Sequence, residues 1–397
     1  MAMRIVAEAG RMLGAERMVT ITSAHIDGCL YHGRSGTLFC ERLVESGAKV
    51  SVPATTNVGA LNLLDPQQSR LQGETRKLAF RLMIAHEKMG CLPSWTCAPY
   101  QAGARPLFGT DVAWGESNAV AFVNSALGAR TNRYGDFLDI ACAISGRAPY
   151  CGLHVPGNRN AKLVFDLSML PAAVQKSDIF YPVLGALIGR HAGEDVAVVT
   201  GLKTRPDEDS LKALFAGAAA TGAVGLLHIV GVTPEAADLA VATGGDLSLP
   251  RVPVDLPMLK AERDRFNTLS SGAEITCVAM GSPHLSHREC QHILALAGNN
   301  RFSVPVYLCT GRHTMEQLAE TGLDEALSAL GAIFVVDTCV VVTPILPDTN
   351  GVMMTNSAKF AHYGKGNTGH ATVVGSTHAC VASAQAGKMI HDDWGHS

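Results

Sequence analysis

Gly115–Asp136, GESNAVAFVNSALGARTNRYGD, is the stretch from which the chain is best read. Ala119, Phe122, Val123, Ala126 and Leu127 recur at i, i+3, i+4, i+7 and i+8, one apolar stripe of a helix. Glu116, Ser117, Asn118, Asn124 and Ser125 fill other positions with carbonyls, hydroxyls and amides instead of the usual Lys/Glu surface. Gly128 stops the helix, as a C-terminal glycine does, and Arg130, Asn132 and Arg133 follow at once. Two guanidiniums just past a helix end form a candidate carboxylate or phosphate clamp. The plain alternative is a core helix with a solvated basic tail.

Outward from this helix, short β-type runs alternate with helical ones. Strands are expected at Met18–Ser23, Lys49–Pro53, Lys162–Leu167, Asp195–Thr200, Gly225–Val232, Glu274–Met280, Val304–Cys309 and Ala332–Val342. Helices are expected at Leu38–Ser46, Thr75–Met89, Phe137–Ser145, Ile179–His191, Asp207–Ala220, Pro234–Thr243, Ser286–Ala297, Thr314–Leu330 and His378–Lys388. Such alternation predicts an α/β fold with parallel sheets covered by helices. Leu249–Pro257 is Pro-rich and reads as a spacer. In such folds ligands sit beyond the carboxyl ends of strands. That directs attention to Ser23–Gly28, to Ala54–Asn57, to Met280–His284 and to Asp337–Cys339.

At 397 residues, two or three domains are expected. With 17% charged and 47% hydrophobic residues the chain is a well-buried globular protein rather than a disordered one. A net charge of −3 gives no reason to expect nucleic acid or an anionic membrane as partner. No apolar run is long enough for a membrane span, and the N-terminus reads as an amphipathic helix, so the cytoplasm is the expected location. No GxxxxGK[ST], GxSxG, HExxH or CxxC occurs. A lone GxGxxG at Gly364–Gly369 has no preceding strand pattern and reads as a flexible loop.

The 11 cysteines are odd in number and no export signal accompanies them, so a disulfide framework is not expected. Cys142, Cys277 and Cys309 lie in apolar runs and read as core. Cys97, Cys339 and Cys380 do not: they sit in a turn, beside Asp337-Thr338, and at a helix start. Three thiolates from distant loops suit an iron–sulfur cluster with one iron left open as a Lewis acid. Three unrelated cysteines remain the alternative that spacing leaves open.

SAHIDG (Ser23–Gly28), SVPATTN (Ser51–Asn57), TCAPYQ (Thr96–Gln101), the Gly115–Asp136 block, AISGRAPYCG (Ala143–Gly152), YPVLGALIG (Tyr181–Gly189), GSPHLS (Gly281–Ser286), DTCVVVTP (Asp337–Pro344) and TNSAKFAHY (Thr355–Tyr363) run almost end to end. In these pieces the chain resembles the catalytic part of aconitase X, a distant branch of the aconitase superfamily. The resemblance implies aconitase-like α/β/α three-layer domains. It divides the chain into an aconitase-like catalytic region (1–193), an α/β domain (194–300) and a region completing the cluster site (301–397). It implies that the swivel domain is absent and carried by a separate small subunit.

It also implies a hydro-lyase. The family includes bacterial cis-3-hydroxy-L-proline dehydratases, whose product is Δ1-pyrroline-2-carboxylate, and archaeal mevalonate 5-phosphate dehydratases. Ser282 stands where the archaeal type tends to have cysteine, which favours the hydroxyproline branch. On this reading Cys97, Cys339 and Cys380 hold iron, as a 2Fe-2S or 4Fe-4S cluster or as mononuclear iron. Arg130 and Arg133, then Arg147, are the candidate carboxylate clamp. Ser23, His25, Thr55, Thr56 and Asn57 line the pocket with Glu116 and Ser117, with His25 a candidate proton carrier. Lys359 is either an anion contact or a base. Two rivals are an enzyme of the same family acting on mevalonate 5-phosphate or another hydroxy acid, and a non-catalytic iron–sulfur binding or sensing subunit.

Overall fold

Parallel strands need a long return connection, and here the returns are helices. The computed structural model describes residues 1–267, 269–347, 350–391 and 394. Its first sheet is parallel, with Ala24–Ile26 between Ala54–Thr56 and Ala113–Trp114. An antiparallel pair, Met18–Thr20 with Arg147–Pro149, lies apart from it. The second sheet is parallel in the order Leu227–Ile229, Ala197–Thr200, Leu163–Asp166, Arg251–Pro253. The third is parallel in the order Ala332–Val336, Val306–Thr310, Cys277–Leu285, Val352–Thr355, Ala371–Val374. The α/β class with mostly parallel sheets is as expected. No helix among the described residues is long and apolar enough to cross a membrane.

Several elements differ from expectation, each for a local reason. Pro53 has no N–H for a ladder, so the strand begins after it, on the β-branched Thr55 and Thr56, where a loop was expected. Ala24–Ile26, expected as loop, is the central strand. The helix expected at Thr314–Leu330 breaks at left-handed Gly322 into Arg312–Thr321 and Leu323–Ala329. The strand expected to reach Val342 stops at Val336, because Asp337 turns the chain at φ 64°. The expected Leu249–Pro257 spacer contains the edge strand Arg251–Pro253, where a proline is tolerated. Gly364–Gly369 is no flexible loop: it is the end of the helix Ala358–Thr368, terminated by left-handed Gly369. The expected domain divisions also cut through sheets. Leu163–Asp166 pairs with Ala197–Thr200 across 193/194, and Cys277–Leu285 with Val306–Thr310 across 300/301.

The Ser117–Ser125 helix is buried all round, and its polar groups are mortar between units. Asn124 Nδ2 donates to the carbonyls of Thr131 and Gly225, both at 2.9 Å, and its Oδ1 accepts from Thr131 N and Arg159 Nη1, both at 3.0 Å. Ser125 Oγ accepts from Leu227 N at 2.9 Å, tying the helix to the second sheet. Tyr100 stacks on Phe122 with ring centroids 3.5 Å apart.

Lys212 joins all three parts. Its buried ammonium donates to Gln101 Oε1 at 3.3 Å and the His284 carbonyl at 3.0 Å, and pairs with Asp209 at 3.1 Å and with Glu289. The helices Phe180–Ala192 and Glu208–Thr221 meet backbone to backbone: a Cβ on Gly185 would lie 2.1 Å from the Leu214 carbonyl oxygen. Gly185→Val is therefore expected to destabilise the fold by about 1–3 kcal/mol or more, the range for overfilling a packed core. Urea unfolding checks this; an unchanged midpoint would show that the helices can separate freely.

Candidate active site

The first sheet places its carboxyl ends at one opening. Beyond Ile26 comes Asp27, beyond Thr56 comes Asn57, and beyond Trp114 come Gly115 and Glu116; all line a cavity of about 840 Å³. The third sheet contributes Ser282, and the turn at Asp337 carries Cys339 into the wall. Cys97, Arg133, Tyr134, Asp136, Thr343, Lys359, Tyr363 and Asn367 complete much of the rest. Among the expected site residues, Asn57, Cys97, Glu116, Ser117, Arg133, Cys339 and Lys359 converge here.

Glu116 caps the helix Ser117–Ser125, accepting from Ala119 N at 2.7 Å, and its other oxygen meets Lys359 in an ion pair. Burial would raise Glu116, but Lys359 and the helix amides outweigh it and hold the carboxyl below its ordinary value. Burial likewise opposes the charge on Lys359, yet Glu116 and Cys97 hold it above the usual lysine range. Both shifts favour a Lys359 ammonium paired with the Glu116 carboxylate. Asp27 behaves oppositely: burial, then Glu116 and Asp136, push it up to about 6. Asn57 Nδ2 donates to its side chain, and its own N–H donates to Asp139 Oδ2 at 2.6 Å.

The remaining expected residues lie elsewhere. Ser23 and Thr55 border a different cavity that also takes in Thr22, Pro53 and Leu92. Ser23 precedes the strand Ala24–Ile26 instead of following it, so it sits at the amino end. His25 and Thr56 are buried strand residues: His25 Nδ1 meets Thr55 Oγ1 at 2.8 Å, and Thr56 Oγ1 donates to the Leu92 carbonyl at 3.2 Å. Burial lowers His25 to about 4, which favours the neutral imidazole near pH 7. The arginine clamp does not form as a pair. Arg133 reaches the cavity, bracing on the Ala219 carbonyl at 3.2 Å, while Arg130 does not line it. Arg147 lies in the strand paired with Met18–Thr20 and donates to the Gly146 carbonyl.

The cysteines divide in the same way. Cys97 and Cys339 open to the cavity, but Cys380 is packed in a core cluster with Met280, Ile293 and Leu308. Its place in the first turn of the helix Thr377–Ala386 made it look exposed to a ligand; that turn faces the interior. Among the described residues no group of three or more His, Cys, Asp or Glu side chains is arranged to hold a metal ion. The expected three-thiolate set is not assembled. What the cavity brings together is two thiols, Cys97 and Cys339, with Ser282 in the lining; cysteine thiolates are the ligand type that iron–sulfur centres use. Burial pushes Cys97 up to about 12 and Cys339 up to about 11, with Lys359 working against burial at both. A metal would therefore displace their protons on binding.

Sequence reasoning missed Asp27, Asp136, Tyr363 and Asn367. The signal for Asp27 was its position just after a strand, hidden because that strand was read as loop. Tyr363 and Asn367 lie on the helix that the Gly364–Gly369 motif disguised.

Sequence patterns described as Aconitase X first, second and third domain match residues 1–157, 161–264 and 275–386. A cis-3-hydroxy-L-proline dehydratase of Hypocrea jecorina is 40% identical over 96% of this chain and 65% of its own length. One of Pseudomonas aeruginosa is 39% identical over 98% of this chain and 67% of its own. The chain thus spans about two thirds of these curated relatives. A phosphomevalonate dehydratase large subunit of Methanothermobacter thermautotrophicus is 35% identical over 92% of this chain and 90% of its own. The crystal structure of Thermococcus kodakaraensis aconitase X in its holo-form superposes with a TM-score of 0.85 at 31% identity, covering 96% of this chain and 94% of that one. With all three domains matched in order and the same architecture, the chain belongs to the aconitase X family.

Proposed function

We propose that the chain is the catalytic part of a hydro-lyase that removes water from cis-3-hydroxy-L-proline. The observation that carries this reading is the charge of the cavity. Three carboxyls line it, Asp27, Glu116 and Asp136, against two long cationic side chains, Arg133 and Lys359. Lys359 is already matched by Glu116. Arg133 is left for one carboxylate, and Asp27 and Asp136 for one ammonium, which suits a zwitterionic imino acid. A substrate with both carboxylate and phosphate would bring two anionic groups to a wall where, among the described residues, Arg133 is the one long cationic side chain outside an ion pair, and unpaired buried charge is costly. The identity to two cis-3-hydroxy-L-proline dehydratases supports the same choice.

In this reading Arg133 fixes the substrate carboxylate. Asp27 takes the proton from C2, the C3–O bond breaks and the hydroxyl takes up a proton from solvent to leave as water, Asp27 returns its proton to solvent, and the resulting C2=C3 enamine tautomerises to Δ1-pyrroline-2-carboxylate. With an affinity for protons near pH 6, Asp27 is ionised at neutral pH yet still basic, the balance general-base catalysis wants. Cys97 and Cys339, with Ser282 beside them, would hold iron, which when bound supplies Lewis acidity for the leaving hydroxyl. Lys359 remains an ammonium throughout and keeps Glu116 in place. We further propose a small swivel-domain partner; the name "large subunit" borne by the archaeal relatives supports it.

With iron and such a partner supplied anaerobically, kcat/KM for cis-3-hydroxy-L-proline is expected to exceed that for mevalonate 5-phosphate by at least about 100-fold. The reverse preference would overturn the substrate assignment. Arg133→Gln is expected to raise KM by about 10-fold or more, the scale of losing a charged hydrogen bond. An unchanged KM would move the carboxylate elsewhere.

The pH dependence has a definite sign. As Asp27 is raised by the fold, its contribution to stability is full below about pH 4, the ordinary aspartate range. That contribution is lost as pH rises through about 6. Activity runs the other way, climbing through the same range as the base ionises. Asp27→Asn is expected to be inactive but more stable than the parent at pH 8, the advantage shrinking toward pH 4. A variant that keeps its activity, or is least stable at pH 8, would remove Asp27 from the role of base.

A further inference from the structure

His284 lies in the GSPHLS segment, which neither the charge of the cavity nor the proton transfer explains. It is buried and does not border the cavity. Its ring nevertheless touches the residue immediately before each of the two cavity thiols. Nδ1 meets Thr96 Oγ1 at 3.1 Å, and Nε2 meets the Thr338 carbonyl at 3.1 Å. Its backbone N–H donates to Cys97 Sγ at 3.2 Å. Because a carbonyl only accepts, Nε2 carries the hydrogen; Nδ1 then accepts from the Thr96 hydroxyl, which itself accepts from Ala98 N at 3.2 Å. One tautomer satisfies every partner.

The backbone delivers this ring through an irregular strand. Cys277–Leu285 pairs regularly with Val306–Thr310 up to Met280, then shifts register before Leu285. Gly281 makes the shift possible at φ 104°, where a Cβ would sit 2.0 Å from the Cys309 carbonyl oxygen. The Lys212 ammonium, donating to the His284 carbonyl at 3.0 Å, fixes the far side of the same residue.

We propose that His284 is the positioning residue for Cys97 and Cys339: its imidazole links the loop of one thiol to the loop of the other and sets their separation before any metal arrives. This rests on the reading that these two thiols bind metal, but its test does not rest on the dehydratase reading. Cys97 comes from the first unit and Cys339 from the third, with no covalent tie between them. Without the ring, the Thr96 hydroxyl and Thr338 carbonyl lose their shared partner and the side-chain link between the two loops is gone.

The test is a titration of the metal-free full chain with Cd²⁺, read by thiolate-to-metal absorption, with circular dichroism as the check on fold. Cys97→Ser first establishes that the signal belongs to this pair; if the absorption persists undiminished, the thiol-pair reading itself fails. His284→Leu keeps the bulk of the ring but no polar atom, and is expected to weaken Cd²⁺ binding by about 10- to 100-fold, the scale for removing a group that orients metal ligands. His284→Gln can still donate to the Thr338 carbonyl from the Nε2 position and is expected to recover most of that loss. Leucine binding as tightly as the parent, or glutamine failing as badly as leucine, overturns the proposal. If the leucine variant does not fold, glutamine alone decides: affinity within about threefold of the parent supports the tether, and a larger loss overturns it.

Discussion

The buried pair between Lys359 and Glu116 is the contact on which the site depends, because removing either partner strands the other charge away from solvent. The pair spans the chain, from a helix cap after the first sheet to a helix that follows the third sheet's fourth strand. It also sets the electrostatics of its neighbours. Glu116 helps to raise Asp27, while Lys359 draws both thiols down against their burial. Asp27 and both thiols thus feel both ends of a single ion pair, Glu116 raising and Lys359 lowering each of them.

Other polar contacts hold the same assembly from behind. Lys212 meets groups from all three parts of the chain, and Asn118 Nδ2 donates to the Cys97 carbonyl at 3.0 Å. Asp337 takes a bidentate pair from Arg312, at 2.9 and 2.7 Å, and accepts from Leu63 N at 3.3 Å. The strain of its left-handed backbone is the cost of swinging Cys339 out of line with its strand. The cavity wall is therefore made of chain termini of strands, with its geometry carried by buried hydrogen bonds one layer deeper.

The fold class was legible because parallel strands and their returning helices write long periodic patterns. Individual strands of three residues did not. Ala24–Ile26 and Ala54–Thr56 are too short to show a period, and their pairing is decided by neighbours distant in sequence. Reading them as loops misassigned Ser23, His25, Thr55 and Thr56, and hid Asp27. Arg130 and Arg133 are separated in space although they are three apart in sequence, since outside a helix that spacing fixes no common face. Cys380 looked like its partners because a helix start resembles a binding loop in sequence; only packing distinguishes them. Asn118, Asn124 and Ser125 stood out correctly as unusual, but their use in tying units together could not be seen from one helix.

Two of the three singled-out thiols, Cys97 and Cys339, reach the cavity, and Cys380 does not line it. Anaerobic reconstitution with iron and sulfide, followed by metal analysis of Cys97→Ser, Cys339→Ser and Cys380→Ala beside the parent, tests this division directly. The first two variants are expected to lose their iron while folded, and Cys380→Ala to retain the parent's full content. Iron lost from a folded Cys380→Ala protein, or kept by both serine variants, would contradict the site described above.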